Sequence, residues 1–190
     1  MKLIFALGNP GTNYRHNRHN SGFLCLDWLA HAWGASFKEA SKFKAYIAET
    51  NREGEKVLLV KPTTFYNLAG ESAAALIRFY KLDPQDLLVI HDDIDLSFGV
   101  LRARLGGSGG GSNGIASLNQ HVGYDYYRIR VGVANDLRAQ TDAAAFVLAN
   151  FSRDEYEHLH EHAWPHIQKL ADEFVLTGEL QPHTINTQQD

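Results

Sequence analysis

The sequence has few cysteines, no excess of positive charge and no long apolar run. Cys25 is the single cysteine among 190 residues, which excludes an internal disulfide framework and a cysteine-based zinc site. No apolar run approaches the length of about 20 residues that a membrane-spanning helix needs. The short apolar N-terminus lacks the features of a signal peptide. We therefore expect a cytoplasmic protein that does not contact a membrane.

Basic residues do not outnumber acidic ones. The formal net charge is −4, from 18 basic and 22 acidic side chains, which by itself argues against a polyanionic partner. The acidic residues are concentrated late in the chain, because the segment from Phe151 onward holds 8 acids and 2 bases. Any nucleic-acid-binding face is therefore expected within the first 150 residues.

Apolar periodicity divides the chain into interleaved strands and helices. Strands are predicted at residues 2–7, 43–50, 56–60, 87–91, 100–105 and 127–133. Helices are predicted at residues 23–33, 67–82 and 115–122, and from a capping box at Ser152 and Glu155 to a kink at Pro165. This order predicts an α/β fold, with residues 1–190 as a single domain. We expect a three-layer sandwich, with a mixed, mostly parallel sheet and helices on both faces. We also expect a flexible tail from about residue 181.

Polar clusters follow several of these strands: "NPGTNYRHNRHN", "KPTTFYN", "HDDIDL" and "GGSGGGSNG". In α/β sheets the ligand crevice lies beyond the carboxyl ends of the strands, so we expect these loops to face one crevice. A histidine held by a carboxylate is a standard device for activating water near neutral pH, and His19 and Asp92 suit those roles. Taken singly, His19 is more typical of a helix cap or an exposed histidine, and "HDDID" is more typical of a solvated acidic loop.

Amides and guanidinium groups supply further candidate contacts. Side-chain amides that are able to hold a water or a carbonyl occur at Asn9, Asn20, Asn67 and Asn113, although asparagine is also common in turns and caps. Arginines two residues apart on a strand point the same way and suit phosphate oxygens; they occur at Arg102, Arg104, Arg128 and Arg130. The polar face of an edge strand explains them equally well. The glycine run is either an anion-binding loop or a mobile linker.

In their joint order these blocks resemble the bacterial peptidyl-tRNA hydrolase family over about residues 3–152. The quoted blocks are "LGNPGTNYRHNRHNSG", "KPTTFYNLAG", "HDDIDLSFG", "LGGSGGGSNG", "YRIRVGV" and "FVLANFS". The resemblance implies a cytosolic, monomeric esterase without metal, cofactor or obligatory protein partner. Its substrate would be peptidyl-tRNA, bound at the acceptor end and 3′ CCA and cleaved between the peptide and the 3′ ribose.

The resemblance also implies roles for single residues. His19 matches the catalytic histidine and Asp92 its partner, whereas His16 falls where the family varies. Substrate or tRNA contacts are implied for Asn9, Tyr14, Tyr66, Asn67, Asn113, Arg104 and Arg130, the two arginines at the tRNA 5′-phosphate. The chain departs from the frequent family pattern at Tyr66, where methionine is common, at Ser112, where histidine is common, and in "GVAND".

Two other functions stay open on the sequence alone. A non-catalytic RNA-binding protein on the same scaffold would share these blocks. A nucleotide-binding or phosphorylase-like enzyme is suggested by the glycine-rich loop and the α/β order, although the chain lacks the "GKS" or "GKT" of a phosphate loop. Turnover of a peptidyl-tRNA distinguishes the hydrolase from both.

Overall fold

The computed structural model describes residues 1–189, and these form one mixed sheet of eight strands. The strands are β1 (Lys2–Ala6), β2 (Lys38–Ala40), β3 (Ala45–Arg52), β4 (Glu55–Pro62), β5 (Leu87–Ser97), β6 (Val100–Leu105), β7 (Tyr127–Ala134) and β8 (His183–Asn186). Their spatial order is β2-β3-β4-β1-β5-β7-β6-β8. Parallel pairing joins β4, β1, β5 and β7, and the outer strands pair antiparallel.

Helices cover the sheet on both faces. They are α1 (Ser21–Ala32), α2 (Ala69–Tyr80), α3 (Asn113–Val122), α4 (Ala143–Leu148), α5 (Arg153–His158) and α6 (Trp164–Thr177). Apolar side chains of α1 and α6 share one core with the sheet, and those of α2 and α3 share the core on the other face. The expected three-layer α/β sandwich with a mixed sheet is confirmed. The sheet is not mostly parallel, because parallel pairing is confined to β4, β1, β5 and β7, and the strands that flank them pair antiparallel.

The central strands are apolar on both sides, as a strand covered by two helical layers must be. Residues 3–7 of the first strand segment and 87–90 of β5 have no exposed surface. Among residues 1–189 no helix is both long enough and apolar enough to cross a membrane.

The long C-terminal helix is interrupted near Pro165. The capping box of Ser152 and Glu155 starts α5, residues 159–163 then form a single wide π-type turn, and α6 begins at Trp164 with Pro165 in its first turn. Proline has no backbone N–H to donate to the preceding turn, which agrees with the expected break.

The structure corrects the expected position of the acidic cluster. The residues "HDDID" lie inside β5, which continues to Ser97, and not in a loop after it. The pairing of β5 with β7 becomes irregular between Asp93 and Ser97. Pairing with β7 extends the strand through a polar sequence that has no apolar run of its own.

The chain near residue 181 also differs from expectation, because His183–Asn186 forms β8 on the edge of the sheet. The Thr187 hydroxyl donates a hydrogen bond of 2.8 Å to the carbonyl of Gly99. This short polar segment has no apolar pattern of its own, and its hydrogen bonds to the backbone of β6 make it a strand. The expectation of a flexible tail is therefore wrong for this strand; it also included Asp190, which lies outside the described residues.

Candidate active site

The loop between β1 and α1 contains the repeat "RHNRHN", and its first triplet is bound to a distant segment. The Phe151 N–H donates to the carbonyl of His16 at 3.1 Å, and Asn17 forms an isolated antiparallel bridge with Asn150. The His16 ring is exposed and lies 6.3 Å from the Tyr156 ring. These contacts hold the His16 backbone and leave its imidazole outside the site.

Arg18 fixes the loop from inside the protein. It is 3 % exposed, and its guanidinium donates to Glu155 at 2.9 Å and to the carbonyl of Asn150 at 2.7 Å. The guanidinium carbon also lies 4.7 Å from the centre of the Phe146 ring. Arg18 therefore joins this loop to α4, α5 and the segment between them.

The second triplet brings His19 to Asp92. The start of α1 lies directly on the ends of β1 and β5, because a Cβ at Gly22 would be 2.5 Å from the carbonyl oxygen of Ile90. The His19 Nδ1 is consequently 2.9 Å from Asp92 Oδ2. The side chain of Asp92 is 4 % exposed and that of His19 is 20 % exposed. The carboxylate is therefore enclosed while the imidazole reaches solvent.

Tyr66 and two asparagines complete a hydrogen-bonded network around this pair. The Tyr66 hydroxyl donates to Asp92 Oδ1 at 2.8 Å, and the Tyr66 backbone N–H donates to Asn9 Oδ1 at 2.9 Å. Asn20 is buried and exchanges two hydrogen bonds with the Asn9 backbone, at 2.8 and 2.9 Å. Burial and the nearby charge of Asp92 raise the pKa of Tyr66 well above its usual value.

His19 lies on a cavity of about 430 Å³. The glycine-rich loop and the start of α3 form one wall, and α4 forms another with Ala143, Ala144 and Val147. Arg128 supports the glycine loop, since its guanidinium donates to the carbonyls of Gly106 and Ser108, the latter at 3.0 Å. Arg128 therefore holds one end of the glycine run in place, and the run forms a wall of the cavity.

His91 also lines this cavity, but as a buried neutral side chain. Its Nδ1 lies 2.8 Å from the backbone oxygen of Asp92 and therefore carries the proton. Its Nε2 is buried without a hydrogen-bond partner among residues 1–189. Burial lowers the pKa of His91 to about 4, so the ring is uncharged at neutral pH.

The other residues that the resemblance implicated are dispersed. Asn113, in the first turn of α3, lines the cavity with His19. Asn9 borders a larger groove of about 950 Å³ on the other side of the loop. Asn67 is exposed and Tyr14 half-buried, and neither lines either cavity. The larger groove includes His16 but neither His19 nor Asp92, so we place the chemistry in the smaller one.

The four arginines of β6 and β7 all lie on the same face of the sheet. Arg102 is directly opposite Arg130, and Arg104 is opposite Arg128. The Arg130 Nε donates to Asp93 Oδ2 at 2.5 Å, and the Arg104 Nε donates to the carbonyl of Gly106 at 3.1 Å. Neither Arg104 nor Arg130 lines the cavity of His19.

Metal ligation has no support in the geometry of the described chain. Within residues 1–189 no group of three or more histidine, cysteine, aspartate or glutamate side chains is placed to hold a metal ion. His158 and His162 share a helix face, with ring centres 4.9 Å apart, but they belong to no such group of three within the described residues.

Sequence reasoning did not identify Arg18 or α4 as parts of the site, and it singled out Arg128 as a candidate phosphate contact and not as a support for the glycine loop. The burial of both arginines depends on segments distant in sequence. A signal for α4 was present, since Asp142 caps a run of alanines by accepting hydrogen bonds from Ala144 and Ala145.

Comparisons with known proteins agree with this architecture. The family model described as "Peptidyl-tRNA hydrolase" matches residues 3–189. The peptidyl-tRNA hydrolase of Rickettsia bellii is 44% identical over 179 residues, covering 94% of each chain. That of Brevibacillus brevis is 52% identical over 135 residues, covering 70% of this chain and 71% of its own.

A solved structure gives the same result. The crystal structure of peptidyl-tRNA hydrolase from Acinetobacter baumannii superimposes with a TM-score of 0.81 at 32% identity, covering 94% of this chain and 92% of that one. These matches support a hydrolase that acts on peptidyl-tRNA over a non-catalytic RNA-binding protein and over a nucleotide-binding enzyme. The chain belongs to the peptidyl-tRNA hydrolase family.

Proposed function

We propose that this protein hydrolyses the ester bond between a peptide, or an N-blocked amino acid, and the 3′ ribose of tRNA, with His19 as the general base. The observation that carries the proposal is the distance of 2.9 Å between His19 Nδ1 and Asp92 Oδ2 at the edge of the cavity. The N–H at Nδ1 donates a hydrogen bond to the carboxylate, so Nε2 is unprotonated and its lone pair can accept a proton from a water molecule. Asp92 orients the ring and stabilises the imidazolium that forms.

Asn113 is proposed to stabilise the oxyanion that develops on the ester carbonyl. Its side chain lines the cavity from the first turn of α3, where the helix dipole places partial positive charge. Donors held in place around a developing charge often contribute more to catalysis than any other effect. Asn9 is proposed to act nearby by holding the Tyr66 backbone, and Tyr14 and Asn67 to contact the substrate outside the cavity.

Arg104 and Arg130 are proposed to bind the 5′-phosphate of the tRNA at its acceptor end, while the 3′ CCA enters the site. Support comes from the shared face of β6 and β7, which gathers positive charge in a protein of net charge −4. Guanidinium groups suit phosphate oxygens because they present several donors in one plane. We further propose that the enzyme acts as a monomer in the cytoplasm, without an obligatory protein partner.

The proposed base is tested by replacing each histidine of the repeat. His19→Ala should lower kcat for a defined N-blocked aminoacyl-tRNA by about 10²- to 10⁴-fold, because a general base contributes that much. Its Kd for tRNA should stay within about twofold, since the phosphate contacts remain. His16→Ala is the matched control and should be close to wild type, because the bond to Phe151 uses the His16 backbone. A larger loss in His16→Ala than in His19→Ala would contradict the assignment.

A further inference from the structure

Tyr66 holds the oxygen of Asp92 that His19 does not face. The phenolic hydroxyl donates to Oδ1 at 2.8 Å, and Oδ2 lies 2.9 Å from the His19 ring nitrogen. Tyr66 is 5 % exposed. A carboxylate bonded at both oxygens is fixed in rotation about its Cβ–Cγ bond, so its orientation toward the imidazole depends on both partners.

The Tyr66 ring also lies against the imidazole of His19. The two rings are stacked, with centres 3.6 Å apart and planes 14° apart. The Tyr66 ring also packs closely against α3, because a Cβ at Gly114 would be 2.4 Å from Tyr66 Cε1. Contact with α3 and the backbone bond to Asn9 hold the tyrosine in place. The tyrosine in turn fixes the plane of the imidazole.

The phenol keeps its proton at neutral pH and is therefore a hydrogen-bond donor. Burial and the charge of Asp92 raise the pKa of Tyr66 well above its ordinary value, so the hydroxyl keeps its proton. The donor that fixes Asp92 Oδ1 is therefore present at neutral pH.

We propose that Tyr66 is a positioning residue for hydrolysis, which orients Asp92 and His19, and not a substrate contact. This inference rests on the proposed roles of His19 and Asp92. Tyr66 lines the cavity, but its hydroxyl is directed at Asp92, one ring face is covered by His19 and the residue is only 5 % exposed. The side chain therefore has little free surface with which to bind tRNA or peptide.

The test is Tyr66→Phe, which removes the hydroxyl and keeps the stacked ring. We expect kcat to fall about three- to tenfold with KM within about twofold of wild type, because the lost bond is charge-assisted and does not touch the substrate. The profile of kcat/KM against pH should be lowered along its whole length by a similar factor, because the orientation of the base is lost at every pH.

Tyr126→Phe is the matched control. Tyr126 is also buried, and its hydroxyl donates to Asn119 at 2.7 Å away from the cavity. Its loss should lower the melting temperature without moving the pH profile. If Tyr66→Phe behaves like this control, its role is structural and the proposal is wrong. A rise in KM alone would make Tyr66 a substrate contact and would overturn it equally.

A double-mutant cycle with Asp92→Asn tests the route of the effect. If Tyr66 acts through Asp92, adding Tyr66→Phe to Asp92→Asn should cause no further loss of kcat. Losses that multiply in the double variant would show a separate route and contradict the proposal. Should Tyr66→Phe not fold, uniform replacement of tyrosine by 3-fluorotyrosine strengthens the same donor. The value of kcat should then be at least that of wild type, and a fall in kcat would overturn the proposal.

Failure of this inference is distinct from failure of the proposed mechanism. An inactive His19→Ala together with a Tyr66→Phe that matches wild type in kcat and pH profile would refute only the role of Tyr66. A fully active His19→Ala would refute the base itself, whatever Tyr66→Phe does.

Discussion

Three histidines of this protein show how the surroundings of a residue decide its chemistry. His16 is exposed and contributes its backbone to the bridge with the segment before α5. His19 is partly exposed and faces a carboxylate. His91 is enclosed, and burial lowers its pKa to about 4. The same side chain is therefore a surface group, a candidate base and a neutral structural group in one protein.

His91 should make the fold sensitive to acid. Its pKa in the folded protein lies below the value of about 6.5 expected in the unfolded chain, so the unfolded chain takes up the proton first as the pH falls. The free energy of unfolding is therefore unaffected by His91 protonation above about pH 6.5, and it decreases as the pH falls from there toward 4. Asp92, Asp93 and Arg128 supply the nearby charges.

His91→Asn removes this titration, so its free energy of unfolding should fall less between pH 7 and pH 4.5. The difference from wild type should be on the order of 1–3 kcal/mol, measured by urea denaturation at each pH. His183→Asn, at an exposed position in β8, should keep the wild-type dependence. Equal pH dependence in His91→Asn and wild type would contradict the neutral, buried state of His91.

Among the secondary-structure elements, the β6–β7 pair holds both an arginine that supports the glycine loop and the proposed tRNA contacts. All four arginines share one face, but only Arg128 is buried, and it donates to carbonyls of the glycine loop. Arg104 and Arg130 are half-buried; Arg104 also donates to the carbonyl of Gly106, and Arg130 is paired with Asp93. The two proposed phosphate contacts are therefore themselves joined to the glycine loop and to β5.

Removing either half-buried arginine should weaken tRNA binding in a salt-dependent way. Arg104→Ala and Arg130→Ala should each raise KM with little change in kcat, because a contact made equally before and during reaction adds only affinity. Each should lower the slope of log Kd against log salt by about one unit. A tRNA without its 5′-phosphate should respond little to either change.

Arg78→Ala provides the control for these variants, because Arg78 is an exposed arginine of α2. It should keep the wild-type slope and the wild-type preference for a 5′-phosphate. If Arg104→Ala and Arg130→Ala do the same, the two arginines are only the polar face of a strand pair, and tRNA is bound elsewhere.

Across the molecule, Arg18 connects the start of the chain to its C-terminal third. The site loop follows β1, whereas the partners of Arg18 lie in α4, in α5 and in the segment between them. Arg18 and Glu155 are both largely removed from solvent. The position of His19, next in the chain, therefore depends on how the C-terminal helices dock.

Arg18→Leu should destabilise the whole protein, because it leaves Glu155 enclosed without its charged partner. The expected cost is about 3 kcal/mol, which corresponds to a fall in Tm of roughly 6–12 °C for a chain of this size. Arg153→Leu is the control, since the side chain of Arg153 is 88% exposed in its pair with Glu157. It should change Tm by no more than about 2 °C. Calorimetry measures both, and equal shifts would contradict the role of Arg18.

Local patterns in the amino-acid sequence were enough to predict the central strands and helices and the presence of His19 and Asp92 in one crevice. Strands such as β1 and helices such as α2 have periodic apolar patterns, and that signal is local, so it survives without knowledge of the fold. The sequence also predicted that the loop of His19 and the acidic cluster of Asp92 face one crevice, and the structure brings these two side chains together, although Asp92 lies inside β5 and not beyond it. Their catalytic roles stay predictions.

Which polar groups are enclosed, and what they contact, depends instead on the packing of the layers. The short strand β8 forms because β6 offers it hydrogen bonds from far along the chain, and its own residues carry no periodic signal. Arg128 and Arg104 have the same sequence pattern, yet only Arg128 is buried. Burial and hydrogen bonding depend on neighbours distant in sequence, so the support of the glycine loop and the contact of Tyr66 with Asp92 emerge only when the layers pack.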